Sequence, residues 1–186
     1  MTSTDAPHIL VFAGPNGSGK STVRSAWQPV GLYVNADDIK ATRGSTDLDA
    51  AQEAERLREL CLLELRSFTF ETVLSTDRNL DLLTRAIAAG YLIEGVFVLT
   101  ANAELNVFRV KSRELSGGHS VPPDKIRSRY VKSLANIPQL LTLCAVFHLV
   151  DNTNEPEIIF VKNDTGVQIR ANRYWTVEAI EPLVGA

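Results

Sequence analysis

The chain has 186 residues, of which 45% are apolar and 22% charged, with a net charge of −3. That length fills one well-packed domain and is short for two, so a nucleotide and a second substrate are expected to share one core over residues 1–186. The acidic balance argues against nucleic acid as a partner, no stretch approaches the length of a membrane span, and the N-terminus lacks a basic and apolar leader, which together point to a cytoplasmic protein that does not act on a membrane.

The first apolar run, His8–Ala13 (HILVFA), leads into Gly14–Thr22, GPNGSGKST, and then into the helix-compatible KSTVRSAW. The nine residues fill G-x-x-x-x-G-K-[ST] without a mismatch, in the strand, loop, helix context that this phosphate-binding pattern requires. Gly14, Gly17 and Gly19 allow a tight turn whose N–H groups point inward, so Gly14, Pro15, Asn16, Gly17, Ser18, Gly19, Lys20, Ser21 and Thr22 are expected to cradle ATP. Lys20 should reach the β and γ phosphates, and the Ser21 hydroxyl is placed to hold Mg²⁺.

The second run, Leu32–Asn35, opens into Asp37 and Asp38. A carboxylate there can accept the proton of a substrate hydroxyl that lies against the γ phosphate; Asp37 is assigned that role and Asp38 a helix cap or supporting one. A helical pattern over Asp47–Arg66 precedes the third run, Phe68–Thr72, whose carboxyl end carries Glu71. Glu71 is a candidate for the substrate site, and Ser75 and Arg78 follow it as further substrate candidates. A second crossover helix, Asp77–Ala89, leads to the fourth run, Leu92–Thr100.

Asn106–Lys132 is basic within an acidic chain. Arg109 and Arg113 stand one turn apart on a single helix face, and Arg127 and Arg129 return beyond Ser116, Gly117 and Gly118. Two arginine-bearing helices around a glycine hinge predict a lid over about residues 109–130, with Arg109, Arg113 and Arg127 reaching the transferring phosphoryl group. His119 in that hinge reads as a structural histidine. Pro122 and Pro123 can open a helix whose stripe is Ile126, Tyr130, Leu134 and Ile137, and Pro138 should end or kink it. The fifth run, Val146–Asp151, precedes IIFVKNDTGVQIRA, a hairpin pattern turning at Asn163, Asp164 and Gly166. Cys61 and Cys144 lie in apolar stretches and read as buried reduced thiols.

Short apolar runs alternating with helical patterns predict an α/β, three-layer P-loop fold: a mainly parallel sheet with helices on both faces, an Arg-bearing lid and a C-terminal β-hairpin. Ligands then gather beyond the carboxyl ends of the strands, which selects Asn35 to Asp38, Glu71 to Ser75, Thr100 to Asn102, and Asp151 with Asn152.

With those residues in view the chain resembles the zeta-toxin group of P-loop kinases over nearly its whole length. The resemblance rests on the phosphate loop, on VNADDI and FETVLS, and on RVKSRELSGGHSVPPDKIRSRYVKSLANI followed by VDN. It implies an ATP- and Mg²⁺-dependent phosphotransferase acting on a small-molecule hydroxyl, with UDP-N-acetylglucosamine as the acceptor of studied members and an antitoxin protein as a partner. It also implies Lys20 and Ser21 at ATP and Mg²⁺, Asp37 as base, Glu71 in the substrate site, Arg109 with a lid arginine at the transferred charge, and the third strand beside the first. The chain departs from that pattern after Glu71, where Val73, Leu74 and Ser75 replace the threonine and arginine that meet the sugar nucleotide.

The run Leu115–His119, LSGGH, imitates the LSGGQ signature of ABC ATPases. The strand that should follow such a signature and end in Asp-Glu comes late here and ends Asp151, Asn152, and HSVPPDK interrupts the signature helix. LSGGH therefore reads as lid glycines, and the alternative kept beside the kinase is an ATP-binding switch or ABC-like ATPase that acts through a protein partner.

Overall fold

A computed structural model describes residues 6–43, 46–115 and 120–185. In chain order these form β1 (His8–Ala13), α1 (Lys20–Arg24), β2 (Leu32–Val34), α2 (Ala36–Arg43), α3 (Asp47–Leu63), β3 (Phe68–Thr72), α4 (Arg78–Ala88) and β4 (Leu92–Leu99). There follow α5 (Ala103–Leu115), α6 (Pro123–Ala135), α7 (Ile137–Leu143), β5 (Val146–Asp151), β6 (Glu157–Asn163), β7 (Gly166–Ile169) and α8 (Val177–Val184).

The strands make one sheet in the order β2-β3-β1-β4-β5-β6-β7. From β2 to β5 all neighbours are parallel, and β6 and β7 add an antiparallel hairpin at the edge. β1 is central because its side chains suit cover on both faces: from Ile9 to Ala13 none is more than 1% exposed. Successive residues alternate between the two covers. Ile9, Val11 and Ala13 join Phe68, Phe70, Phe97 and Phe147 in the larger core under α3, α4, α7 and α8. Leu10 and Phe12 join Val96, Val98 and Val150 on the opposite face, beneath Val23 of α1 and Trp27. Each of the fully buried phenylalanines contributes about 1.5–3 kcal/mol through burial alone. A third, smaller cluster, Val107, Val110 and Ile126, holds α5 against α6.

The three-layer expectation holds, with adjustments at the ends of elements. α3 stops at Leu63 instead of running to Arg66, because Leu65 adopts a left-handed φ of 52° and the Arg66 amide turns back to the Cys61 carbonyl. α6 ends at Ala135, and Pro138 lies in the first turn of a separate α7, where its missing N–H costs nothing. α8 (Val177–Val184) is an element beyond those expected from the sequence. Cys61 and Cys144 are free and buried. Among the described residues no helix is long and apolar enough to cross a membrane. The hinge Ser116, Gly117, Gly118 and His119 lies outside the described residues.

The sheet order sets up the site. Because β3 inserts between β2 and β1, the carboxyl ends of β1, β2 and β3 open onto one crevice, and the residues that follow them converge there.

Candidate active site

The phosphate loop is held from both sides. The Gly14 amide donates to the Thr72 carbonyl at the end of β3 (3.2 Å), and the Asn152 side-chain amide donates to the Ser18 carbonyl (2.7 Å). Asn152 is itself fixed by its backbone N–H, which donates to Leu99 at the end of β4 (2.9 Å). Gly14 and Gly19 have φ of 142° and 85°, and a Cβ on either would run into the Val98 carbonyl or the Asn152 amide. A side chain at Gly17 would likewise strike the Asn106 backbone. The cradle therefore exists only because these positions are glycine. Lys20 folds back across it, its ammonium donating to the carbonyls of Gly14 (2.7 Å) and Pro15 (3.3 Å).

Beyond the loop lies an open cleft of about 580 Å³. Asn16, Gly17, Gly19, Lys20, Ser21 and Thr22 line it together with Asp37 and Asp38 from α2 and Glu71 from β3. Arg109 and Arg113 of α5 also border it. Gly14, Pro15 and Ser18 shape the loop from behind; Ser18 is fully buried. Burial brings the Lys20 ammonium down to about 8; Glu71 and Asp37 oppose the shift and Arg113 adds to it. All three side chains thus act on the same point, and negative charge arriving there would raise the value again and hold the ammonium charged.

One hydrogen-bond chain links the two acidic sides of the cleft. The Asp37 backbone N–H donates to Asn35 Oδ1 (2.8 Å), which leaves the Asn35 amide to donate to the Tyr33 hydroxyl (2.8 Å). Tyr33 must then donate onward, and it does so to Glu71 Oε1 (2.6 Å). Burial, and next the Glu71 hydrogen bond, push the phenol well above the ordinary tyrosine range, so it stays a donor. Arg24 completes the group: its guanidinium lies 4.5 Å from the Tyr33 ring centre and its Nε is 3.4 Å from Glu71 Oε1. Both contacts fall on Oε1 of the Glu71 carboxylate. Asn35, one residue before α2, supplies the acceptor for that helix's first turn, so the capping role read for Asp38 belongs to Asn35.

Three of the expected site residues stand elsewhere. Arg127 faces solvent, paired with Glu104 (2.6 Å) and Asp124 (3.0 Å), because the packing of Ile126 and Tyr130 turns that flank of α6 outward. Arg129, two residues on and so on the opposite flank, instead donates to Asn16 Oδ1 (3.2 Å). Arg78 pairs with Glu55 across α3 and α4 (3.0 Å), and Ser75 lines a second pocket. Arg109 borders the cleft, yet both of its terminal nitrogens are engaged, donating to the carbonyls of Asn152 (2.8 Å) and Thr153 (3.0 Å). Arg113 is the α5 guanidinium whose charge reaches Lys20.

Arg24 and Tyr33 escaped the reading of the sequence, though each left a trace. Arg24 follows Lys20 by one helical turn, and Tyr33 precedes Asn35 on the same face of an extended strand. Among the described residues no group of three or more His, Cys, Asp or Glu could hold a metal ion.

No family model matches the chain. An uncharacterized protein of Haemophilus influenzae is 29% identical over 127 residues, which is 65% of this chain and 91% of that protein. A structure of the PezAT chromosomal toxin-antitoxin system of Streptococcus pneumoniae superimposes with a TM-score of 0.62 at 14% identity, over 100% of this chain and 81% of that one. A chain of the AvrRxo1-ORF1:-ORF2 structure with ATP gives 0.72 at 15% identity over 97% of this chain. The present chain spans 64% of that one's length, a little under two thirds. At these identities the likeness is one of fold.

Proposed function

We propose that this chain, whose fold is that of the zeta-toxin-like P-loop kinases, is an ATP- and Mg²⁺-dependent phosphotransferase that acts on a small-molecule hydroxyl. The observation that carries the reading is the single cleft in which Lys20 and the glycine cradle face Asp37 and Glu71. ATP with Mg²⁺, when bound, supplies the phosphoryl group and the positive charge that offsets its oxygens; Lys20 would hold the β and γ phosphates and Ser21 the metal. Asp37 accepts the proton as the acceptor oxygen bonds to phosphorus and the bond to the β-phosphate oxygen breaks. Glu71, held by Tyr33 and Arg24, orients the acceptor. Arg113 offsets charge at the transferring group. A sugar nucleotide such as UDP-N-acetylglucosamine is the acceptor proposed first, and the cytoplasm the proposed location.

The test is transfer of label from ATP to a panel of sugar nucleotides, nucleosides and buffer alone. Lys20→Ala should abolish transfer and weaken ATP binding severely. Asp37→Ala should abolish transfer with ATP binding retained. Full activity of Asp37→Ala would remove it as the base, and no stimulation by any acceptor would sink the kinase reading. A second reading, an ATP-governed partner of an antitoxin protein, is favoured by the fold shared with the PezAT toxin-antitoxin system. Slow ATP loss that ignores every acceptor and responds to a purified partner would mark it.

A further inference from the structure

A second pocket, of about 450 Å³, lies on the other side of the segment that follows β3. Thr72 and Val73 line the main cleft, whereas Ser75 and Thr76 line this pocket, facing Lys125, Ser128, Arg129 and Lys132 of α6. Lys125, Arg129 and Lys132 recur one turn apart along one flank of that helix. The acid that lines the pocket, Asp124, is already paired with Arg127 (3.0 Å). Lys125 and Lys132 carry no ion pair among the described residues. Three cations against one acid therefore line the pocket, an excess of positive charge in a chain whose net charge is −3.

The pocket is also built. Leu74, between the two cavities, takes a left-handed φ of 55°, a conformation that L-residues other than Asn and Asp avoid. It is held there by α6 and its continuation: Ser133 donates to the Val73 carbonyl (2.7 Å) and the Asn136 amide to the Leu74 carbonyl (3.0 Å). The Leu74 amide in turn donates to the Thr72 hydroxyl (3.0 Å). Strain maintained by so many fixed contacts turns the chain sharply, so that Ser75 and Thr76 meet the cationic flank of α6.

We propose that this pocket is a second anion site, which takes a phosphate or diphosphate group distinct from the one on the phosphate loop. Lys125, Arg129 and Lys132 supply the charge, and the Ser75, Thr76 and Ser128 hydroxyls donate hydrogen bonds to the anion's oxygens. Arg129 also bonds Asn16, so occupancy of the pocket acts directly on the phosphate loop. The group could be borne by the acceptor or by a separate small effector, and the two share this chemistry.

Inorganic pyrophosphate is the probe, titrated calorimetrically in magnesium-matched buffer into protein saturated with a non-hydrolysable ATP analogue. The expected result is one further binding event, weakened at least tenfold in Lys125→Ala/Lys132→Ala and in Ser75→Ala, while the analogue's affinity stays within twofold. Absence of binding once the phosphate loop is filled, or equal binding by both variants, overturns the site. Both measurements are of binding, so the site is tested even if the chain transfers no phosphoryl group. In a transfer assay, pyrophosphate that competes with the acceptor assigns the group to the acceptor. A changed rate without competition assigns it to an effector, and either result supports the site.

Discussion

Asn152 offers the sharpest test of how the phosphate loop is held. Its amide donates to the Ser18 carbonyl, both residues are nearly or fully buried, and Gly19 lies directly against it. Asn152→Leu keeps the volume, excludes water and removes the donor. A buried carbonyl left without a partner costs about 1–3 kcal/mol. For a chain of this size that lowers the melting temperature by roughly 2–12 °C, at about 2–4 °C per kcal/mol. If about 1.4 kcal/mol of the loss falls on the ordering of the loop for its ligand, ATP binds about tenfold more weakly. Asn152→Asp goes further, because its carboxylate cannot donate to Ser18 and sets a negative charge beside the phosphates. The order of ATP affinity should be wild type, then Asn152→Leu, then Asn152→Asp, by calorimetry, with scanning calorimetry on the nucleotide-free protein alongside. A melting temperature within about 1 °C of wild type together with an unchanged affinity in Asn152→Leu would refute the clamp.

Tyr33→Phe should cut transfer about 10–100-fold while leaving ATP affinity unchanged, since a hydrogen bond to a charged group contributes about 1.5–3 kcal/mol and the substitution leaves the Glu71 charge beside Lys20 in place; steady-state rates beside an ATP titration check this. Arg113→Ala should slow transfer tenfold or more, whereas Arg127→Ala should stay within about twofold, because exposed ion pairs such as Arg127 with Glu104 contribute little; parallel assays of the two variants decide it. Glu94, half-buried beside His148, has its carboxyl held below the usual range by the His148 hydrogen bond against the opposing effect of burial. A depressed folded value means stability present above the unfolded value near pH ~4.3 and lost as pH falls through the folded one. Glu94→Gln should therefore lower the melting temperature modestly at pH 6, by under about 1 kcal/mol in stability, and the deficit should vanish towards pH 3.

The phosphate loop and the parallel strands were legible because each is a local pattern: glycine at left-handed positions, apolar runs of strand length, helical stripes between them. Asp37 and Glu71 could be named because strand ends in such a sheet converge, Lys20 because it ends the glycine motif, and Arg109 with Arg113 because four residues place them on one helix face; all five line the cleft. What escaped depends on rotation and on distance along the chain. Whether Arg127 or Arg129 turns inward is a matter of helix phase, which Ile126, Tyr130 and Ser133 settle only by packing. The Tyr33–Glu71 and Asn152–Ser18 contacts join residues whose proximity follows from β3 lying between β2 and β1, and from β4 lying between β1 and β5. The left-handed Leu74 has no signature at all, since leucine is not a residue that advertises a turn.

The hairpin at the edge of the sheet has a practical consequence. β6 runs against β5, with Lys162 opposite Phe147 and Glu157 opposite Asp151, so the turn at Asp164 and Thr165 lies at the pole of the molecule away from the cleft. β7 beyond it is exposed along most of its length and carries none of the site residues. A reporter peptide or fluorophore spliced into that turn would sit far from the chemistry and interrupt a single two-residue connection. The same hairpin that completes the sheet thus provides a handle for immobilising or labelling the protein with its cleft left open.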